Sequence, residues 1–92
     1  MFFVYLTMGK TEKLIAKLMN NPKNLTWEEL IKILAYFGFT EIKKKGKTGG
    51  SRVKFSDQLK RIINLHKPHP SNIVKQYVIK QILEKLRLWE II

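Results

Sequence analysis

The sequence predicts an α+β fold in which helices cover one face of a three-stranded antiparallel sheet. Three observations carry this reading. Apolar residues recur at helical spacing before residue 38 and again after residue 72. Between Phe39 and Leu65 the period drops to two. Within that stretch, "GKTGG" and "SDQLK" separate three short runs, as the turns of a meander do.

The elements follow in order. From Thr11 to Met19, Leu14, Ile15, Leu18 and Met19 form a helical stripe, and "NNPKN" then breaks the chain. Thr26 opens a capping box: its hydroxyl can accept from the Glu29 amide while the Glu29 carboxylate reaches back. The helix it starts carries Trp27, Leu30, Ile31, Leu34 and Phe37 on one face and stops at Gly38. "FTEIKKK" reads as the first strand, "SRVKF" as the second and "RIINLH" as the third. Pairing the last two about Gln58 sets Val53 opposite Ile63 and Arg52 opposite Asn64. Val53, Phe55, Ile63 and Leu65 then face the helices, and Arg52, Lys54, Asn64 and His66 take the other face. The prolines of "KPHPS" forbid a continuing strand. A last helix, from about Asn72 or Lys75 to Leu88, buries Val78, Ile79, Ile82, Leu83 and Leu86 and leaves Lys75, Lys80, Glu84 and Lys85 outside.

At 92 residues the chain makes a single domain, 1–92. Eighteen Lys and Arg against seven Asp and Glu give a formal charge of +11. A field of that size attracts nucleic acid, an anionic membrane or an acidic protein. Cysteine is absent, which excludes disulfides and thiolate metal sites. Two histidines and seven scattered carboxylates show no metal-ligand spacing, so no metal or other cofactor is expected. No apolar run approaches the roughly 20 residues of a membrane span. The opening "MFFVYLTMGK" lacks a preceding basic region and makes a poor signal peptide, and Met8 offers a second start. A cytoplasmic location is expected. Membrane attachment is set aside, because the charge lies on strands and turns, not on one basic amphipathic helix.

Eight basic residues stand between Lys43 and Arg61, with Asp57 the one acid among them. Lysines at a sheet edge can simply deter aggregation. The functional alternative is a phosphate-binding surface built from Lys45, Lys47, Arg52 and Lys54, with Gly49 and Gly50 letting a polyphosphate chain approach the backbone. Ser51 and Lys75 complete the candidate phosphate-contacting set. His66 and His69 bracket "HKPHP", and histidine is the side-chain type that exchanges protons near neutral pH. Trp27, Tyr36, Phe39 and Phe55 mostly suit core positions, which argues against an aromatic base-stacking platform.

The run "GGSRVKF" followed by "LHKPHPSNIVKQYVIKQILEKL" resembles the HicA family of small toxins from bacterial and archaeal toxin–antitoxin pairs. The likeness covers roughly Thr26 to Leu88, with residues 1–25 as an added N-terminal extension. It implies a double-stranded-RNA-binding-like α-β-β-β-α fold, a metal-independent ribonuclease acting on messenger RNA, and an acidic antitoxin of the HicB type covering the active surface. The family pattern on the second strand is Gly-Ser-His with a catalytic histidine, and here it is Gly50-Ser51-Arg52. Arginine only donates, so it can steady charge on a phosphate but cannot take the 2′-hydroxyl proton. Either His69 or His66 supplies the proton transfer while Arg52 and the lysines clamp the phosphate, or the protein binds RNA or its antitoxin without cutting.

Overall fold

The structure, a computed structural model, describes residues 9–43 and 52–92. Its elements are α1 (Lys10–Met19), α2 (Trp27–Tyr36), β1 (Thr40–Glu41), β2 (Arg52–Ser56), β3 (Ile62–His66) and α3 (Gln76–Leu88). The strands pair antiparallel in the order β1-β2-β3. This is the expected α+β class, compatible with the double-stranded-RNA-binding-like α-β-β-β-α arrangement, with α1 placed ahead of it.

Local chemistry sets the helix ends. The Thr26 hydroxyl accepts from the Glu29 amide at 3.1 Å, and the Glu29 carboxylate accepts from the Thr26 amide at 3.0 Å, so the capping box is complete. That amide is the main reason the Glu29 carboxyl titrates below its ordinary value; partial burial opposes it, and Lys17 at 3.1 Å adds to it. At the far end of α2, Gly38 takes φ +93°, a left-handed value that a glycine adopts without a side-chain clash. The Gly38 amide then reaches the Ala35 carbonyl and the Phe39 amide the Leu34 carbonyl, the paired bonds of a Schellman stop. The same pair closes α3, where Glu90 at φ +59° donates to Arg87 and Ile91 to Leu86.

The core lies between the helices and one face of the sheet. Leu30, Ile33 and Leu34 of α2, Phe55 of β2, Ile63 and Leu65 of β3, and Ile79, Ile82, Leu83 and Leu86 of α3 are all buried. Trp27 meets Phe55 with ring centroids 6.1 Å apart. Phe39 stacks on Trp89 at 5.8 Å. Helix α1 shares this core: Leu18 is 1% exposed, and Leu14 and Ile15 pack against the buried cluster. Lys17 ties the helix down through Glu29.

Two expectations change. The first strand shortens to Thr40–Glu41, with Phe39 buried in the core ahead of it; the Ile42 amide still reaches the Lys54 carbonyl at 2.8 Å. Lys44 and Lys45 of the expected strand lie outside the described residues. The register of β2 on β3 also differs. Arg52 pairs with His66, Val53 with Leu65, Lys54 with Asn64 and Phe55 with Ile63, so the hairpin is centred on Leu59 and not on Gln58. The shift is two residues, which preserves the face of every side chain. What fixes it is Asp57, whose carboxylate accepts from the amides of Leu59 at 3.1 Å and Arg61 at 2.9 Å and so sets the length of the turn.

Candidate nucleic-acid interface

The face of the sheet turned away from the helices carries Arg52 and Lys54 from β2, Asn64 and His66 from β3, and Ile42 beside Lys54. Arg52, Asn64 and His66 are exposed, while their neighbours Phe55, Ile63 and Leu65 are buried on the other side. Because Arg52 and His66 are direct cross-strand partners, their Cβ atoms are held roughly 4.5–5.5 Å apart. The register thus gives Arg52 an imidazole as its neighbour, where sequence reasoning expected Asn64.

From His66 the chain leaves the sheet and borders an open groove of about 450 Å³ that ends on the first turn of α3. His66, His69, Lys67 and Lys75 line it together with Tyr77, over an apolar wall that includes Ile73 and Val78. The loop that shapes the groove is pinned to the start of α2. Thr26 bridges Ile73, the Trp27 amide donates to the Asn72 carbonyl at 2.8 Å, and the Val74 amide donates to the Leu25 carbonyl at 2.8 Å. The Asn72 side-chain amide reaches Glu28 at 2.7 Å, and Gln76 reaches the Asn21 carbonyl at 2.6 Å. His66 is held by its strand pairing with Arg52, His69 lies in the loop between that strand and the pinned residues 72–76, and both are exposed at the rim of the groove.

The charges divide into two kinds. Among the described residues, Arg52, Lys54, Lys67 and Lys75 make no ion pair, and no carboxylate lines the groove. Arg61, counted in sequence with the basic cluster, is not part of this surface. Its guanidinium lies 2.6 Å from the Asp57 carboxylate and 5.4 Å from the centre of the Trp89 ring. Burial pushes the Asp57 carboxyl up, but the Arg61 side chain and backbone amide, the Arg61 charge and the Leu59 amide outweigh it and hold it below its ordinary value.

Of the residues singled out in sequence, the structure brings His66, His69 and Lys75 to one groove and sets Arg52 beside His66, with Lys54 next along the strand. Lys45, Lys47, Gly49, Gly50 and Ser51 lie outside the described residues. Trp27, Phe39 and Phe55 are core residues, whereas Tyr36 is 56% exposed with its ring edge against Phe37. Sequence reasoning missed Lys67 and Tyr77. Tyr77 interrupts the apolar stripe of α3 one position before Val78, and that outward placement was its available signal.

Among the described residues, no three His, Cys, Asp or Glu side chains gather as metal ligands, and no helix is long and apolar enough to cross a membrane. A family model described as HicA toxin of bacterial toxin-antitoxin matches residues 27–88, from the first residue of α2 to the last of α3. No curated protein and no solved structure matches the chain.

Proposed function

We propose, on the premise that the chain belongs to the HicA toxin family and is the toxin of a toxin–antitoxin pair, that it is a metal-independent endoribonuclease. Its substrate is messenger RNA in the cytoplasm, and an acidic antitoxin of the HicB type silences it. The observation that supports this reading is the pairing of Arg52 with His66 beside a groove that also holds His69 and Lys75. Cleavage of RNA without a metal needs a base for the 2′-hydroxyl, an acid for the leaving 5′-oxygen and positive charge at the phosphate. Two exposed imidazoles and a cluster of unpaired cations meet that requirement in kind.

The reaction runs as a transfer within the RNA. One imidazole, neutral, takes the 2′-hydroxyl proton as that oxygen bonds to phosphorus. The P–O5′ bond breaks, and the other imidazole, protonated, gives its proton to the departing 5′-oxygen. The products are a 2′,3′-cyclic phosphate and a 5′-hydroxyl end. Arg52 donates to the non-bridging oxygens, whose negative charge grows in the transition state. An acidic antitoxin laid over the same cations would remove both the phosphate clamp and access to the histidines.

The test is cleavage of end-labelled single-stranded RNA in excess EDTA, with wild type, His66→Ala, His69→Ala and Arg52→Ala compared. Each histidine substitution is expected to lower the rate about 10²- to 10⁴-fold with RNA affinity little changed. Undiminished cleavage in both histidine variants would sink the assignment. A second reading, a non-catalytic RNA-binding or antitoxin-binding module, is favoured by Arg52 itself, which stands where the family pattern has its histidine. Salt-sensitive RNA binding by wild type with no cleavage would select it.

A further inference from the structure

We infer that the groove between the β3–α3 loop and the first turn of α3 is a nucleobase subsite, in which Tyr77 stacks on an unpaired base of single-stranded RNA whose phosphates lie along Arg52, Lys67 and Lys75. This deepens the RNA reading above and rests on it. Proton transfer at a phosphate uses the histidines and the cations, and it has no use for the rest of the groove. Apart from Ser71, that rest is apolar and aromatic: Pro68, Pro70, Ile73, Val74 and Val78 line it beside Tyr77. Tyr77 is 63% exposed, and its ring meets no other aromatic ring among the described residues. Tyr36, nearly as exposed, has its ring packed at 5.5 Å against Phe37.

A free aromatic face over an apolar wall, with cations at the rim, matches what each unpaired nucleotide presents: a flat base joined to a charged phosphate. A duplex offers phosphates and sugars to such a groove and keeps its bases stacked inside. The volume of about 450 Å³ falls within the roughly 300–1,000 Å³ of clefts that hold small-molecule ligands. The pinned loop keeps the wall in place before the ligand arrives, so little ordering cost is left for binding.

The experiment titrates wild type, Tyr77→Ala, Tyr77→Phe and Arg52→Ala with a 2′-O-methyl oligoribonucleotide, which cannot be cleaved, carrying one 2-aminopurine. A duplex of the same sequence is run in parallel. Tyr77 is exposed, so these variants are expected to fold as wild type. Wild type and Tyr77→Phe quench the 2-aminopurine on binding. Tyr77→Ala loses the quench and binds the single strand about 5- to 100-fold more weakly, with its salt slope unchanged and its duplex binding unaffected. Arg52→Ala keeps the quench and loses about one unit of salt slope. If Tyr77→Ala binds and quenches like wild type while Arg52→Ala still weakens binding, the subsite is overturned and RNA binding stands. Equal losses on duplex and single strand also overturn it. No RNA binding by wild type at low salt overturns both readings.

Discussion

Arg52 and Arg61 stand at opposite ends of one hairpin and have opposite fates. Arg61, at the turn, is three-quarters covered, clasped by Asp57 and laid over Trp89. Arg52, at the open end, is exposed, and its nearest cross-strand neighbour is a histidine. The same residue type is structural where a carboxylate and an aromatic ring are within reach, and available to a ligand where neither is. Positive charge on a chain of net charge +11 is therefore not uniformly a binding surface. The surface is what remains after the structural pairs are subtracted.

The largest effects that test this contrast come from exchanging the losses. Arg61→Ala or Asp57→Ala is expected to lower Tm by several degrees, since each leaves a partly covered charge without its partner. Arg61→Ala keeps wild-type RNA affinity per folded molecule. Arg52→Ala should leave stability within about 0.5 kcal/mol while lowering RNA affinity and the salt slope. Thermal melts and salt titrations of the same samples check it, and the contrast fails if Arg61→Ala weakens RNA binding as much as Arg52→Ala.

Acid provides a smaller effect with a defined sign. The folded Asp57 carboxyl titrates below its ordinary value of 3.8, so the unfolded chain takes up this proton first as pH falls. The clasp contributes fully above 3.8 and is lost as pH drops from there through the folded value. Glu29, held low by the Thr26 amide, acts in the same direction from 4.5 downward. Wild type should therefore exceed Asp57→Asn in stability at neutral pH, with the gap closing on acidification. Denaturant midpoints across that range measure it, and a gap that widens in acid contradicts the clasp.

The smallest effect is at Lys60, which holds φ +63° in the clasped turn. A left-handed residue with a side chain costs about 1–2 kcal/mol, and the extra freedom of glycine in the unfolded chain returns about 0.4–1 kcal/mol of that. Lys60→Gly should raise stability by about 0.5–1 kcal/mol without touching RNA binding. Denaturant unfolding checks this, and no gain would mean that the turn is held by Asp57 alone.

Much of the scaffold could be read from the chain alone. The capping box at Thr26, the stop at Gly38, the apolar stripe of α3 and the two faces of the hairpin all came from spacing within one element. They came out as expected because each depends on neighbours a few residues away. The candidate site was legible as a residue list, with His66, His69, Arg52, Lys54 and Lys75 all named, but not as a constellation. Alternation is blind to a shift of two residues, since either register keeps Val53 and Phe55 inward and Arg52 and Lys54 outward. Only the Asp57 turn chooses between them, and with it whether Arg52 meets Asn64 or His66. The groove depends on residues 25–27 bridging residues 72–74, a contact across more than 40 positions that no local period encodes. Sequence by itself determined the net charge and most of the inward-facing residues, because periodicity and charge are sums over the chain. On α2, however, it chose Ile31 and Phe37 where the structure buries Ile33 and leaves those two half-covered. Which cation is clasped and which is free, and which histidine stands beside an arginine, were decided by tertiary pairing, because those depend on the few ångströms that separate residues distant in sequence.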